Sequence, residues 1–215
     1  MEAGTSSERR FEPAAGRTAA ERVQFVPSPI ADPGPLGLAA FALTTFVLSM
    51  FNSGLVSSAG EPIVFGLALT YGGLAQLLAG MWEFRTGNTF GAVAFTSYGA
   101  FWLSFWAFVQ FFEKSVPAAD AGHAVGLFLI AWGIFTAYMF IASLRTTAAV
   151  SLVFILLAVT FFLLGIGNAG AHPNIVKAGG WVGLATAVAA WYASFAAVTN
   201  STFGRTVMPV RPLNR

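Results

Sequence analysis

Neutral polar side chains are the groups in this 215-residue chain that are best placed to do chemistry, because they occur within long apolar stretches. An amide or hydroxyl in such surroundings costs free energy unless it is paired or faces a cavity. The amides of Asn52 and Gln76 have the most hydrogen-bond donors and acceptors to satisfy, which favours a polar interior or a pore. Thr44 and Thr45 can instead bond back to their own helix. Such groups bind a small polar solute without covalent chemistry. The pore-lining candidates are Thr44, Thr45, Asn52, Gln76, Asn88, Thr96 and Ser97.

The residues needed for enzymatic chemistry are missing from the sequence. It has no G-x-S-x-G, H-E-x-x-H or G-x-x-x-x-G-K-[ST] pattern and no cysteine, and His123 and His172 lie far apart. The acidic residues fall near the ends of apolar stretches, where Glu83 and Arg85 are expected to anchor a helix at the membrane interface. We therefore expect no enzyme, no catalytic residue, no metal site and no cofactor.

The composition indicates an integral membrane protein. Hydrophobic residues make up 56% of the chain, charged residues make up 9%, and the mean hydropathy is +0.71. A soluble domain has about 25% charged residues. Eight of the charged residues lie within residues 1–30, which are predicted to form a disordered cytosolic N-terminal tail. The net charge of +2 gives no indication of a nucleic-acid partner.

Six windows without Asp, Glu, Lys or Arg follow this tail, and each is long enough to cross the roughly 20-residue thickness of a bilayer as a helix. The apolar runs are continuous rather than alternating, which favours helices over a β-barrel. The sequence therefore predicts an all-α membrane domain over residues 31–204 and a cytosolic C-terminal tail over 205–215. The predicted spans are 36–57, 62–82, 90–112, 123–143, 147–167 and 176–199.

The positions of Lys and Arg predict the orientation of the chain. An even number of spans puts both termini on one side. If that side is the cytoplasm, nine Lys and Arg residues face inward and two face outward, in agreement with the positive-inside rule. We therefore expect a multi-pass protein of the cytoplasmic membrane with both termini in the cytoplasm.

Two short motifs stand out near the starts of spans. Residues 32–38 read D-P-G-P-L-G-L, where Pro35 suits a first helical turn and Asp32 can cap it. Asn88 or Thr89 can cap the third span. Helix N-termini at both places would attract an anion.

These segments resemble the acetate uptake transporter (AceTr) family, in particular its bacterial succinate–acetate permeases. The family signature is N-P-[AV]-P-[LF]-[GA]-[LF], from which this chain departs at Asp32 and Gly34. Y-G-G-L-A-Q at 71–76, T-S-Y-G at 96–99 and F-G-R-T-V-M-P at 203–209 extend the resemblance over about residues 30–210. The signature residues, expected at the entrance, are Asp32, Pro33, Gly34, Pro35, Leu36, Gly37 and Leu38.

The resemblance implies a six-helix protomer with its own pore, similar to the proton-gated urea channels, in a ring of six protomers. It also implies a hydrophobic pore constriction, which local matching assigns to Phe41, Tyr98 and Leu157. The implied substrate is a small monocarboxylate, acetate first, with succinate or other short acids as further candidates. The other expected partners are the lipid bilayer and the further copies of a homo-hexamer.

The expected mechanism uses weak, neutral contacts, since no Lys or Arg is predicted at mid-membrane. Neutral donors, including the Tyr98 hydroxyl, would hold the carboxylate, while Phe41 and Leu157 contact the methyl end. No acid is predicted at mid-membrane, so passive permeation is favoured and Glu83→Gln is expected to leave flux and its pH profile intact. Two alternatives stay open: a channel for small neutral solutes such as urea, and a non-transporting membrane sensor.

Overall fold

The computed structural model describes residues 30–213, and this part of the chain is almost entirely helical. The predicted N-terminal tail therefore lies outside the described residues, except for Ile30. Two π-helical turns, Thr70–Ala75 and Phe108–Phe112, continue α2 and α4, and 3-10 turns cover Ser58–Gly60 and Glu113–Ser115. The helices are α1 (Gly34–Asn52), α2 (Ile63–Leu69), α3 (Gln76–Thr86), α4 (Thr89–Ala107), α5 (Ala118–Ser143), α6 (Ala148–Ala169) and α7 (Pro173–Phe203).

Six of these segments are long and apolar enough to cross a membrane, and they match the six predicted spans in order. The α2 helix, the first π turn and α3 together form the second span, whereas α4 and the turns after it form the third. The all-α, six-span prediction is confirmed, and the chain is a multi-pass integral membrane protein. The spans are Gly34–Asn52, Ile63–Thr86, Thr89–Ser115, Ala118–Ser143, Ala148–Ala169 and Pro173–Phe203.

Two predicted boundaries are wrong for identifiable reasons. The first span ends at Asn52 rather than 57, because Gly54 has a φ of +78° and turns the chain away. The second span continues past 82 to Thr86, because Glu83 is buried instead of marking the membrane surface. It ends at Gly87, whose φ of +79° gives the left-handed conformation common just after a helix.

The helices form a closed ring in the order α5, α6, α7, α1, the second span and α4. Small residues bring neighbours together: a Cβ on Gly126 would lie 2.6 Å from the Cβ of Ala169, and one on Gly179 would lie 2.8 Å from Leu164. These contacts are within one chain, as is usual for small residues in membrane helices.

Aromatic rings close the ring of helices between α4 and α5. The Phe101 ring stacks on Phe128 with centroids 5.5 Å apart, and its centroid lies 5.3 Å from that of Trp132. Tyr98 meets Phe135 edge-on at 5.5 Å. These large side chains thus fill the space between α4 and α5, whose backbones lie farther apart than those of the other neighbouring helices.

The segment after α7 turns back along the start of α6. The Ala148 amide donates to the Arg211 carbonyl at 2.9 Å, and the Leu213 amide donates to the Thr146 carbonyl at 2.9 Å. The Tyr192 hydroxyl donates to the Pro209 carbonyl at 2.7 Å. The segment therefore supplies a partner to a first-turn amide of α6 that would otherwise have none.

Candidate functional site

Aromatic rings from three helices meet at the centre of the bundle. The centroids of Phe41 (α1) and Tyr98 (α4) lie 5.8 Å apart, and those of Tyr98 and Phe154 (α6) lie 6.0 Å apart. We call these three residues the aromatic neck. Leu157 lies three residues after Phe154 in the same buried cluster and is 4% exposed. The structure thus brings Phe41 and Tyr98 into contact and buries all three residues of the predicted constriction.

The Tyr98 hydroxyl is committed to the protein rather than free for a solute. Its oxygen lies 2.9 Å from Thr136 Oγ1, and Thr136 donates its one proton to the Trp132 carbonyl at 2.7 Å. With that proton used, Tyr98 is the donor to Thr136 in this arrangement, and the expectation that it donates to a carboxylate stays a prediction. Its contribution to the neck is the face and edge of its ring.

A second feature, which we call the amide site, surrounds Gln76. This side chain is 1% exposed, and neither its Nε2 nor its Oε1 has a hydrogen-bond partner in the described structure. Gly72 and Gly80 lie one turn before and after it on the same helix face. A Cβ on Gly72 would meet Thr44 Oγ1 of α1 at 2.6 Å, and one on Gly80 would overlap Thr96 of α4. Gln76 is therefore held between α1 and α4.

The adjacent threonines differ in how they are satisfied. Thr44 donates to the Ala40 carbonyl at 3.0 Å, which confirms the back-bonding alternative for this residue. The buried Oγ1 atoms of Thr45 and Thr96 have no partner within the described residues. A buried amide with free donors and acceptors provides binding groups for a small polar solute, and the free hydroxyls of Thr45 and Thr96 belong to the two neighbouring helices α1 and α4. The π-helical turn that ends just before Gln76 is a feature frequent at functional sites.

A cavity of about 310 Å³ opens at the end of the bundle where α1 begins. We call it the mouth cavity. Phe154 lines it as well as the aromatic neck, so the cavity reaches the neck directly. Its remaining lining comes mainly from the signature motif, the turn before α4 and the start of α6, and includes Asp32, Pro35, Glu83, Asn88, Thr146 and Thr147.

The signature motif both lines this cavity and fixes the start of α1. Asp32 Oδ1 accepts from the Gly34 amide, the first of α1, at 2.8 Å, whereas the cap position itself is occupied by Pro33, one residue later than predicted. The Pro35 carbonyl accepts from Ser194 of α7 at 2.7 Å. A Cβ on Gly37 would lie 2.6 Å from the Phe95 ring, so this glycine permits close packing of α1 on α4. Pro33 is buried, whereas Leu36 is exposed.

Glu83 is buried, in contrast to the prediction from the sequence. It is 1% exposed, so the prediction that it is an interfacial anchor is wrong. Its Oε2 accepts from Asn88 Nδ2 at 2.9 Å and lies 3.1 Å from the Thr86 hydroxyl. Its Oε1 is buried and has no hydrogen-bond partner among residues 30–213. Asn88 also accepts from the Gly91 amide at 3.1 Å, which confirms it as the cap of α4.

The burial of Glu83 depends on a glycine in the facing helix. A Cβ on Gly91 would lie 2.7 Å from Glu83 Cδ, so α4 makes room for the carboxyl group only because Gly91 lacks a side chain. The pattern E-x₇-G was present in the sequence, but a carboxylate beside a window edge is ordinarily at the surface. Three-dimensional contact was needed to find this residue.

The remaining candidates lie apart from the mouth cavity. Asn52 is the half-buried last residue of α1, at the opposite end from the signature, and Ser97 is half-buried beside Tyr98. His123 and His172 are exposed. Among residues 30–213, no group of three or more His, Asp or Glu side chains is arranged to hold a metal ion.

Two acidic residues, Glu61 and Glu113, interact electrostatically at the Asn52 end of the bundle. Burial raises the pKa of the Glu61 carboxyl above its ordinary value of 4.5, and the charge of Glu113 raises this pKa further. Glu61 precedes the second span, so this pair lies at a membrane boundary. It is remote in sequence and along the helices from the mouth cavity.

Comparison with known proteins gives one family. The model of the GPR1/FUN34/yaaH family matches residues 15–215. Acetate permease A of Emericella nidulans is 46% identical over 195 residues, covering 84% of this chain and 65% of the permease. This chain therefore spans just under two thirds of that fungal relative's length.

A bacterial relative is matched over nearly its whole length. The succinate-acetate/proton symporter SatP of Escherichia coli strain K12 is 40% identical over 181 residues, covering 84% of this chain and 95% of the symporter. A solved structure described as the bacterial acetate channel SatP superposes with a TM-score of 0.79 at 39% identity. It covers 84% of this chain and 99% of the solved chain.

Proposed function

Because the chain belongs to the GPR1/FUN34/yaaH family, we propose that it is a membrane permease that conducts small monocarboxylates, with acetate as the main substrate. The observation that carries this proposal is Gln76, a fully buried amide whose donors and acceptors are free close to an apolar core. The names of its relatives, which describe acetate permeases and a succinate-acetate symporter, support the choice of substrate.

The route that we propose runs from the mouth cavity through the aromatic neck. The described residues that line the mouth cavity include no lysine or arginine. Acetate is ionised at pH 7, since carboxylic acids have a pKa near 4. A fixed cation would hold it too tightly for rapid release, whereas neutral donors allow both binding and departure.

In this mechanism the two ends of acetate meet different surfaces. The carboxylate accepts from Gln76 Nε2 and from the free hydroxyls of Thr45 and Thr96, and the methyl group passes the Phe41 ring and Leu157. Ser97, Asn52 and Asn88 are polar residues near the route. The Tyr98 ring sets the width of the neck.

The wider organisation follows the same proposal. We expect each protomer to carry its own pathway and six protomers to form a ring. We also expect the protein to lie in the cytoplasmic (inner) membrane, with both termini in the cytoplasm. Glycine contacts such as Gly126 and Gly179 are used within the chain. Apolar side chains that are exposed on the outside of the bundle, such as Ile134 and Phe195, are available for contacts with lipid or with neighbouring protomers. No enzymatic activity is expected.

The deciding experiment is uptake of labelled acetate by proteoliposomes that contain the purified protein, with matched empty liposomes. We expect protein-dependent uptake that propionate competes for and urea does not. Competition by urea alone would favour the channel for neutral solutes. Uptake no faster than in empty liposomes, from protein shown to be folded, would contradict the permease function and favour a sensor.

A further inference from the structure

Glu83 has an environment that a charged carboxylate does not explain. The side chain is 1% exposed and lines the mouth cavity, and its Oε1 has no hydrogen-bond partner in the part of the chain that the structure describes. On the other oxygen, Asn88 is the one committed donor, because Thr86 has a single hydroxyl proton and the Glu83 carbonyl, at 2.9 Å, competes for it. A buried anionic oxygen without a donor is costly, whereas a protonated oxygen becomes a donor itself.

A second carboxylate faces the same gap. The position that a Cβ would take on Gly34 lies 3.0 Å from Asp32 Oδ1 and 3.4 Å from Glu83 Oε1. Two carboxylate oxygens this close to one point repel each other when both are charged. Asp32 is exposed, and its Oδ1 accepts from the Gly34 amide.

Among residues 30–213, the other elements that line the cavity around Glu83 contribute no lysine or arginine. Asp32 is the charged group that acts on it from the segment before α1. The cap residue Asn88 and the N-terminus of α4 contribute neutral donors. The residues that α6 and its preceding turn, α7 and the C-terminal segment contribute to the cavity lining carry no charge, including Thr146, Asn200 and Val210.

We propose that Glu83 and Asp32 form a proton-binding site in the mouth cavity, in which Glu83 carries the proton on Oε1 and Asp32 keeps it there. The pair shares one proton because two carboxyl groups at one gap do not both ionise freely. Asp32 replaces the asparagine expected from the family signature, so this chain has a carboxylate where that pattern has an amide. The site reverses the expectation that Glu83→Gln is silent.

The role of this site in transport rests on the proposed function, but the site itself does not. A proton held at Glu83 lets a carboxylate enter the mouth without meeting two negative charges. Loss of the proton leaves both charges in place and repels the substrate. The site therefore makes acetate entry depend on pH at this end of the pathway.

The first test is an infrared titration of the full chain in lipid, without acetate, which follows the C=O stretch of protonated carboxyl groups. The titration uses chains in which Glu61 is replaced by Gln, because burial and the charge of Glu113 also raise the pKa of Glu61. In this background the wild-type pair is expected to keep a signal equivalent to one carboxyl group at a pH where the exposed carboxyl groups have ionised. Glu83→Gln should remove this signal, and Asp32→Asn should move its midpoint to lower pH. The matched control, Asp120→Asn, replaces an exposed acid elsewhere and should change neither.

The signal overturns the proposal if it persists in Glu83→Gln or is absent from the wild type. Should Glu83→Gln not fold, Asp32→Asn decides, because its side chain is exposed and an unchanged midpoint would refute the pairing. The second measurement is the pH profile of acetate exchange in proteoliposomes, which is expected to flatten in Glu83→Gln. A wild type that shows the infrared signal but moves no acetate would contradict the proposed function and leave the proton site standing.

Discussion

Replacing Tyr98 with alanine tests whether the aromatic neck selects solutes by size. The Tyr98 ring is 3% exposed and lies 5.5 to 6.1 Å, centroid to centroid, from the rings of Phe135, Phe41, Phe154 and Trp132. Removing it leaves a void bounded by these four rings. A buried aromatic-to-alanine change costs about 3–5 kcal/mol of stability, and the surroundings collapse only in part. The remaining void widens the neck.

The effect on selectivity follows from the size of the solutes. A pocket discriminates one additional methylene-sized group by about 1–3 kcal/mol, which corresponds to 10- to 200-fold. Lactate exceeds acetate by about two such groups. We therefore expect Tyr98→Ala to raise the ratio of lactate to acetate uptake by about tenfold or more, measured with both labelled acids in the same proteoliposome preparation.

Tyr98→Phe is the matched control because it keeps the ring and removes the hydroxyl. Thr136 retains its own acceptor, the Trp132 carbonyl, so the change costs about 1 kcal/mol of stability and leaves no orphan donor. The uptake ratio should match the wild type. The size argument is refuted if Tyr98→Ala is folded and keeps the wild-type ratio, and loss of acetate uptake in folded Tyr98→Phe would show that the hydroxyl serves the substrate.

Three further predictions follow from other parts of the chain. Gln76→Leu should abolish protein-dependent acetate uptake while the protein remains folded. The control Gln110→Leu replaces an exposed glutamine and should keep this uptake. Equal uptake by the two variants would exclude the amide site from transport. Gly72→Ala should lower the unfolding temperature in detergent, since overpacking costs about 1–3 kcal/mol, while Gly66→Ala, which meets nothing within 4 Å, should leave it unchanged or raise it. Because burial and an acidic neighbour raise the pKa of Glu61, its stabilising contribution is complete below its ordinary value of 4.5 and is lost as pH rises through the raised value. Glu61→Gln should therefore raise the unfolding temperature at neutral pH but not at acid pH, and an equal effect at both would show that the charge is not responsible.

The fold was predictable because the positions of charged residues and the thickness of the membrane limit where a helix can span the bilayer. Charged residues flank each apolar window, and a spanning backbone must satisfy its own hydrogen bonds, so six helices follow. The same rule misplaced the end of the second span, since it treats every charge as exposed. Glu83 is buried against Gly91, a contact between residues of two helices that window analysis does not represent.

The site was predictable only in part. The resemblance, rather than composition, selected Phe41 and Tyr98 from the many aromatic residues, and the structure brings their rings together. The commitment of the Tyr98 hydroxyl to Thr136 depends on the packing of α4 against α5 and leaves no pattern in the sequence. Thr44 and Thr45 show the same limit, because adjacent residues of one type differ only in which carbonyl each can reach.

The segment that follows α7 bears on how the protein is made. The Ala148 amide finds its acceptor, the Arg211 carbonyl, only after the ribosome has translated the chain to that point. Asn200, near the end of the sixth span, and Val210 line the mouth cavity, so part of its wall comes from residues near the end of the chain, which are synthesised late. A nascent chain released before residue 210 would therefore carry the aromatic neck and the amide site but an incomplete mouth, with amides at the start of α6 open to water.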